Sequence, residues 1–250
     1  MGTTLESRTA VVTGGSSGIG LATARLFADE GARVVITGRN EARLRAAAES
    51  IGPRASWIAA DLAREAGARS LAAQLAGLGL RVDVLFANAG AANAPELFET
   101  TEDGFDAVID ANLKSAFFTV TACFDLLADG ASVILTSSVG FHRGTLGDPL
   151  YTAAKAGVRA LGRGFAGQRA FLDRHIRVNT LGFGAVATPL TGADNPDVAR
   201  AMRDWATANV PVKRPADPLE AAGPALFLAG AASSYLTGAE LAVDGGLAQL

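Results

Sequence analysis

The chain has 250 residues, with 49% hydrophobic and 19% charged residues, which fits a globular protein and excludes a disordered or fibrous one. A net charge of −3 and the lack of a Lys/Arg cluster argue against nucleic acid as a partner. No apolar run approaches the roughly 18 residues that cross a bilayer and no signal-peptide core is visible, so we expect no membrane partner and a cytoplasmic location.

Seven short, β-branched runs recur along the chain, and most are continuously apolar, as in strands buried on both faces of a parallel sheet. Segments with helical spacing lie between them, and this alternation predicts βαβ units. We therefore predict an α/β, doubly wound fold: one domain over 1–250 with a single parallel seven-stranded sheet flanked by helices on both faces. The runs are 9–14, 32–38, 55–60, 82–90, 131–138, 176–182 and 239–246.

The first run leads through glycines into a helix, in the stretch VVTGGSSGIGLATARLF. Gly14 permits a sharp turn, Gly18 lets the backbone approach a pyrophosphate, and Gly20 lets the helix pack close to the strand. The helix N-terminus would offer free N–H groups and a partial positive charge to the phosphates. A merely tight turn is the alternative, but the position in the first βα turn favours a dinucleotide site.

The longest departure from the alternation is the segment 188–218, between the sixth and seventh runs. Ligands of open α/β sheets bind beyond the carboxyl ends of the strands. A segment that leaves a strand at that edge is placed to cover a ligand, so we predict a substrate-covering lid at about 188–218.

The glycine spacing T-G-x-x-x-G-x-G, the tripeptide Asn88-Ala89-Gly90 and the stretch YTAAK at 151–155 together resemble the short-chain dehydrogenase/reductase (SDR) family. The resemblance covers nearly the whole chain, from Thr13 to VDGG at 243–246. It implies a Rossmann-type NAD(P)-binding domain and hydride transfer between a nicotinamide and a carbonyl or secondary alcohol. It also implies a homo-oligomer, commonly a tetramer built through long helices at 112–127 and 151–173.

The resemblance assigns a catalytic tetrad, Asn112, Ser138, Tyr151 and Lys155. A free tyrosine has a pKa of about 10, too high for acid–base catalysis at neutral pH. Lys155 follows Tyr151 by four residues, which places both side chains on one face of a helix. We therefore expect the ammonium to lower the pKa of the tyrosine.

The other tetrad roles follow from the resemblance. Ser138 would orient the carbonyl, Lys155 would also hydrogen-bond the nicotinamide ribose, and Asn112 would help to hold a water that links the lysine to solvent. Taken singly, each residue has an ordinary structural alternative. Ser138 would simply end a strand, Tyr151 would be an amphipathic helix residue, Lys155 would lie on a solvated face and Asn112 would be a helix N-cap.

The second run ends in Gly38, where NAD-dependent family members carry an acid, and Arg39 follows it. A guanidinium there would bind the 2′-phosphate of NADP, so NADP(H) is preferred and NAD(H) stays possible. In the alternative, Arg39 is a solvated loop charge. Asp61 matches the family position that contacts adenine, or is a turn residue. The expected cofactor-binding residues are Gly14, Ser16, Ser17, Gly18, Ile19, Gly20, Arg39, Asp61, Leu62, Asn88, Ala89, Gly90, Tyr151, Lys155, Gly184, Val186 and Thr188.

The chain departs from the family pattern after the sixth run, where Phe183 stands in place of a usual proline. Its ring would either face the substrate or simply pack. Mostly apolar residues after Ser138 and in the lid suggest a hydrophobic or medium-sized carbonyl, although such residues more often pack against the protein body. The candidate substrate residues are Val139, Phe141, His142, Leu146, Phe183, Leu190, Met202 and Trp205.

Within the family, a 3-oxoacyl-thioester reductase and a secondary alcohol or steroid dehydrogenase are the expected subclasses, both acting on a small molecule. A non-catalytic NAD(P)-binding sensor or scaffold would have lost a tetrad residue, and a lyase or dehalogenase on the same scaffold would have exchanged the lysine or the glycine loop. A Ser/His/Asp hydrolase is excluded because neither histidine stretch, GFHRG or LDRHIR, belongs to a recognisable triad. One cysteine and two histidines argue against a metal site.

Overall fold

Seven parallel strands form one sheet in the computed structural model, which describes residues 4–92, 95–142 and 148–250. The strand order is β3-β2-β1-β4-β5-β6-β7, so the connection reverses direction between β1 and β4. Ligand sites of doubly wound sheets lie at this switch point. The predicted fold is confirmed, with strands β1 Thr9–Thr13, β2 Arg33–Gly38, β3 Ala55–Ala59, β4 Val82–Ala87, β5 Leu127–Ser138, β6 Arg177–Phe183 and β7 Glu240–Val243.

Helices cover both faces of the sheet because neighbouring strand residues point to opposite sides. Val11 packs with residues of α3, α5 and α6, whereas Val12 packs with residues of α1, α2 and α9. Both faces are therefore apolar, as the continuous hydrophobic runs require. The helices in the described residues are α1 Gly18–Asp29, α2 Glu41–Ile51, α3 Glu65–Gly77, α4 Glu102–Ile109, α5 Ser115–Cys123, α6 Pro149–Ala166, α7 Arg169–Leu172, α8 Pro196–Asn209 and α9 Pro218–Ala229.

Two expected helix boundaries are wrong. The helix expected over 151–173 ends at Ala166, because Gln168 takes an extended backbone, and α7 then follows. The helix expected over 112–127 ends at Cys123, and β5 already begins at Leu127 rather than at 131. The early start of β5 includes a register shift against β4, with Gly130 at a φ of +76°.

The stretch Glu102–Leu126 has a mean hydropathy of 1.2 over its most apolar window and is long enough to cross a bilayer, contrary to the expectation of no such run. It comprises α4, a π-helical turn at Asp110–Lys114, and α5. These elements pack against α3 and α6, and Val120 is fully buried. Packing against α3 and α6 accounts for part of its apolar residues, since 39% of that window is buried.

The segment 188–218 contains a short turn at Pro189–Thr191 and then α8. Asn195 caps α8, with its side chain accepting from the amides of Asp197 and Val198. The role of this segment as a lid stays a prediction.

Candidate active site

The glycine loop after β1 has the backbone that its glycines predict. Gly14 and Gly18 have φ angles of +66° and +52°, a region that side chains with a Cβ atom disfavour. A Cβ atom on Gly20 would collide with the carbonyl oxygen of Gly14, so this glycine allows α1 to pack against the loop. The Ser17 side chain makes no capping hydrogen bond, which leaves the N-terminal amides of α1 uncapped by it.

Hydrogen bonds join the ends of β1, β4 and β5 at the switch point. The Thr13 hydroxyl accepts from the amides of Asn88 and Ala89 at 2.9 and 2.8 Å. The Asn88 side chain donates to the Thr13 carbonyl at 3.0 Å and accepts from the Thr136 hydroxyl at 3.2 Å. Neither threonine was predicted to lie in the site, although a hydroxyl residue near the carboxyl end of a strand is a signal that could have identified both.

Asn112 lies in the π-helical turn between α4 and α5, a type of irregularity that is frequent at functional sites. Its side-chain nitrogen donates to the carbonyls of Ala91 and Val108 at 2.8 and 3.0 Å. Its oxygen accepts from the amide of Ala91 at 3.3 Å. The residue is 1% exposed, and its hydrogen bonds to Ala91 hold the chain after β4 against this turn.

Lys155 is buried and reaches the same place from α6. Its Nζ donates to the Thr136 carbonyl at 3.0 Å and lies 5.7 Å from the centre of the Tyr151 ring. The Ser137 hydroxyl donates to the Lys155 carbonyl at 2.8 Å, which ties α6 to the end of β5. The structure thus brings Lys155 and Tyr151 onto one helix face, as the four-residue spacing predicts.

The Asp148 carboxylate fixes the start of α6. It accepts from the amides of Leu150 and Tyr151 at 2.8 and 3.0 Å, and Pro149 occupies the first helical turn. An aspartate cap followed by proline is a strong helix start, so Tyr151 lies in the first turn of a well-anchored helix.

The expected pKa direction for Tyr151 is wrong in this structure. Burial raises the pKa of Tyr151 to about 12 and lowers the pKa of Lys155 to about 8. Removal of both groups from water disfavours both charged forms, the phenolate and the ammonium. The effect of burial therefore dominates the pKa of the tyrosine here, and Tyr151 is a phenol at neutral pH.

Ser138 is the last residue of β5 and is adjacent to Ser137, which bonds α6. Its hydroxyl accepts from the amide of Gly140 at 3.2 Å. In the sheet it pairs with Phe183 of β6. Phe183 is buried and packs in the core with α1 and α9, so of its two alternatives the structure favours packing over an open substrate pocket.

The residues expected at the adenine end lie at the ends of β2 and β3. Arg39 is exposed, and no described residue pairs with its side chain. The Asp61 carboxylate accepts from the amide of Ala63 at 3.3 Å, as the turn alternative predicts. Leu62 is buried in the core, so its side chain does not face a ligand. Ser16 lies close to Gly38: a Cβ atom on that glycine would be 3.8 Å from the serine hydroxyl.

The remaining cofactor candidates lie in the segment after β6, except for Ile19 in α1. A Cβ atom on Gly18 would lie 3.2 Å from the Thr188 Cβ, so the glycine loop and Thr188 are neighbours. Val186 is buried and bridges to Ala216, and Gly184 lies against Asp244. Ile19 packs partly against the core.

The candidate substrate residues do not form one wall in the described part of the chain. Val139 is buried with Ala206 and Leu247, while the rings of Phe141 and His142 contact each other, with centroids 4.2 Å apart. Leu190 and Trp205 are 49% and 40% exposed, and Met202 is half-buried. Leu146 lies outside the described residues.

No group of three or more metal-ligating side chains occurs among the residues that the structure describes. The one cysteine, Cys123, is buried, and burial raises the pKa of its thiol to about 12. A high pKa keeps the thiol protonated and unreactive, so Cys123 is a core residue.

Comparison with known proteins agrees with this geometry. Residues 14–248 match a family model described as enoyl-(acyl carrier protein) reductase. The chain is 38% identical to the oxidoreductase asL5 of Sarocladium schorii, with 98% of each chain covered. It is 35% identical to the 3-oxoacyl-[acyl-carrier-protein] reductase FabG of Chlamydia pneumoniae, with 99% of each covered. Its fold superposes on a Pseudomonas aeruginosa RhlG/NADP active-site complex with a TM-score of 0.90 and 32% identity, covering 99% and 98% of the two chains.

Proposed function

This chain belongs to the short-chain dehydrogenase/reductase family of oxidoreductases, and we propose that it transfers a hydride between NADP(H) and a carbonyl or secondary alcohol, with Tyr151 as general acid or base. The observation that carries the proposal is the meeting of Asn112, Lys155 and Gly90 beside the switch point of the sheet. A Cβ atom on Gly90 would lie 2.8 Å from the Asn112 side-chain oxygen and 3.2 Å from the Lys155 Nζ.

The residues at this edge fit a dinucleotide. Gly14 and Gly18 have the left-handed backbone that brings a loop close to phosphates, and the N-terminus of α1 supplies amides there. The structure leaves no room for a side chain at Gly90, so the segment Asn88-Ala89-Gly90 can pack directly against Asn112 and Lys155 at this edge. When bound, the nicotinamide supplies or accepts the hydride.

The chain's own groups handle the proton and the substrate oxygen. In the reduction, the Tyr151 phenol donates its proton to the carbonyl oxygen, since its pKa of about 12 keeps it protonated at neutral pH. The Lys155 ammonium is charged below its pKa of about 8 and stabilises the phenolate that forms. Ser138 supplies a second hydrogen bond that polarises and orients the carbonyl.

Lys155 in turn is held by the Thr136 carbonyl, and the Asn112 turn packs against it through Gly90. These contacts hold the buried ammonium beside the Tyr151 ring and away from bulk solvent, which strengthens its field at the phenolate. In the oxidation direction the same step runs in reverse: the Tyr151 phenolate accepts the proton of the alcohol, and the Lys155 ammonium stabilises that phenolate before the transfer.

Arg39 supports NADP(H) over NAD(H). Its guanidinium is exposed directly after β2 and has no partner among the described residues, so it is available to a 2′-phosphate. The similarity to a structure described as an NADP complex also supports NADP(H) as the cofactor. The full set of cofactor residues expected from the sequence remains part of this proposal, except that Leu62 contributes only its backbone.

A 3-oxoacyl thioester is the favoured substrate class, because one close relative is named a 3-oxoacyl-[acyl-carrier-protein] reductase. A secondary alcohol or steroid is the second class expected from the sequence. We place the reaction in the cytoplasm, as the composition suggests.

An apolar groove between α5 and α6 supports the expected homo-oligomer. The groove has a volume of about 810 Å³, and Phe117, which is 39% exposed, stacks on Phe165 across it at 5.8 Å. A contiguous apolar surface of this kind is rarely left to water. The residues around it are Ile109, Leu113, Lys114, Phe117, Gly157, Ala160, Leu161, Gly164, Phe165 and Gln168.

A panel of carbonyl and alcohol substrates, followed by nicotinamide absorbance with both cofactors, tests the reaction. Tyr151→Phe should keep NADPH affinity and lose about 10²- to 10⁴-fold in kcat, as expected for loss of a general acid. Tyr235→Phe is the matched control, because Tyr235 is fully exposed and is the chain's other tyrosine. Equal turnover by Tyr151→Phe and the unaltered enzyme on a confirmed substrate would refute the assignment.

A further inference from the structure

Three elements converge on one carboxylate next to the turn that follows Ser138. This turn, Val139–His142, is a short 3₁₀ helix at the end of β5. Glu240 is the first residue of β7 and pairs with Thr180 of β6. Its side chain is only 12% exposed. Neither the family resemblance nor the proposed mechanism gives Glu240 a role.

Arg159 brings α6 to this carboxylate. It lies one helical turn beyond Lys155, so it extends the face of α6 that carries the tyrosine and lysine. Its Nε lies 2.6 Å from Glu240 Oε2, the distance of an ion pair, although this nitrogen lacks the angle of a hydrogen bond to any described residue. The pair joins α6 to β7.

Phe141 and His142 bring the turn to the same pair. The His142 Nε2 lies 3.7 Å from Glu240 Oε2, and the Arg159 guanidinium lies 5.3 Å from the centre of the Phe141 ring. The two rings contact each other, with centroids 4.2 Å apart and planes tilted by 40°. The Phe141 ring thus packs against a cation that the carboxylate holds in place.

The surroundings make the charges interdependent. Glu240 Oε1 is buried and has no hydrogen-bond partner in the described residues, and a Cβ atom on Gly182 would lie 3.0 Å from it. A small cavity of about 190 Å³ beside the pair is also lined by Arg163. The Arg159 side chain is 37% exposed, but the Glu240 carboxylate is nearly buried, so removing the arginine takes away a counter-charge that the carboxylate depends on.

We propose that Glu240, through Arg159, is a positioning residue that holds the Phe141–His142 turn beside Ser138 and thereby determines which carbonyl substrates the site accepts. The proposal rests on the proposed function, in which Ser138 and Tyr151 bind the carbonyl oxygen from β5 and α6. The turn continues directly from Ser138, whose hydroxyl accepts from the Gly140 amide. Displacing Phe141 and His142 therefore changes the space beside the carbonyl while leaving the tyrosine and lysine in place.

Glu240→Gln and Arg159→Met test this with a kinetic comparison. On a bulky 3-oxoacyl thioester each should raise KM about tenfold, whereas kcat on a small ketone and the Kd of NADPH stay within about twofold. Arg159→Lys keeps the cation and should restore most of the KM. The double variant should be no worse than either single variant, because the two residues act as one unit.

Asp129→Asn is the matched control. Asp129 pairs with Arg174 at 2.9 Å near the other end of β5, with its side chain 75% exposed, so KM should not change. Additive effects in the double variant, or an equal loss on small and bulky substrates, would overturn the proposal.

Hydrogen exchange gives a readout that does not need turnover. In Glu240→Gln the peptide containing 139–142 should exchange at least about tenfold faster, while a peptide containing 82–87 of β4 stays unchanged. In Arg159→Lys the same peptide should exchange like that of the unaltered protein. Comparing Arg159→Lys with Arg159→Met therefore keeps the test decisive if Glu240→Gln folds poorly. Unchanged exchange in both Glu240→Gln and Arg159→Met refutes the positioning role. Faster exchange in an enzyme that reduces no carbonyl would instead refute the proposed function and leave the positioning role standing.

Discussion

Gly90 and Lys155 are packed so closely that a Cβ atom on the glycine would lie 3.2 Å from the lysine Nζ. The same atom would lie 2.8 Å from the Asn112 side-chain oxygen. Gly90 is not among the glycines with a positive φ, so its backbone conformation is open to any residue. Glycine is needed here for lack of a side chain, because three elements of the site meet at this point.

Gly90→Ala should therefore lower kcat/KM about tenfold or more, because the added methyl group must displace Asn112 or Lys155. Steady-state kinetics on a confirmed substrate measure the loss. Gly223→Ala on α9 is the control, since a Cβ atom there would meet nothing within 4 Å and alanine favours the helix. If Gly90→Ala and Gly223→Ala have the same kcat/KM, the close packing does not matter for catalysis.

The reduction should depend on pH through Lys155. Burial lowers its pKa to about 8, so the ammonium is present below that pH and is lost above it, while Tyr151 stays a phenol up to about pH 12. The kcat/KM for reduction should fall as pH rises through about 8. Lys155→Met should remove this dependence together with most activity, whereas the exposed Lys213→Met keeps it. A flat profile to pH 10 would contradict the assigned role.

Arg39→Asp should shift the cofactor preference from NADPH to NADH. The carboxylate repels a 2′-phosphate and accepts from a ribose hydroxyl, so NADPH affinity should fall about tenfold or more. Fluorescence titration with each cofactor measures this. Arg33→Asp makes the same charge change at the other end of β2 and should leave both affinities alone. NADPH affinity that is unchanged in Arg39→Asp would refute phosphate binding.

Thr13→Val should destabilise the protein, whereas Thr23→Val should not. Both threonines are buried, but the Thr13 hydroxyl accepts two amides and the Thr23 hydroxyl has no partner in the described residues. Each amide left without an acceptor costs about 1–3 kcal/mol, and each kcal/mol lowers the Tm by roughly 2–4 °C in a chain of this size. Thermal unfolding compares the two; equal Tm values would mean that the Thr13 bonds contribute nothing net.

Phe117→Glu should dissociate the proposed homo-oligomer, because a charge would be buried in the apolar groove between α5 and α6. Light scattering after size exclusion measures the mass. Phe98→Glu is the control, since Phe98 is almost fully exposed on the turn Leu97–Glu99. The groove is not the interface if Phe117→Glu keeps the mass of the unaltered protein, or if that protein is already a monomer.

Much of the fold could be predicted because its signals are local. The apolar run at 82–90 predicts a buried strand, and Asp148 with Pro149 is a helix start that needs no distant contact. The bound at 173 was wrong because α6 ends at a C-cap on Gly167 and Gln168 is extended, whereas the apolar residues that follow belong to the separate helix α7. Phe183 could not be assigned, because an aromatic ring suits a pocket and a core equally well until its neighbours are known.

The sequence by itself determined the α/β order of elements, the glycine loop and the spacing of Tyr151 and Lys155, because each depends on residues a few positions apart. Only the tertiary structure decided how those groups are charged, since burial sets the pKa values of both and opposes the expected direction for the tyrosine. It alone also revealed why residue 90 is glycine and that Glu240 meets Arg159, 81 positions earlier. Burial and contacts between distant segments arise from the packed fold, and no local pattern encodes them.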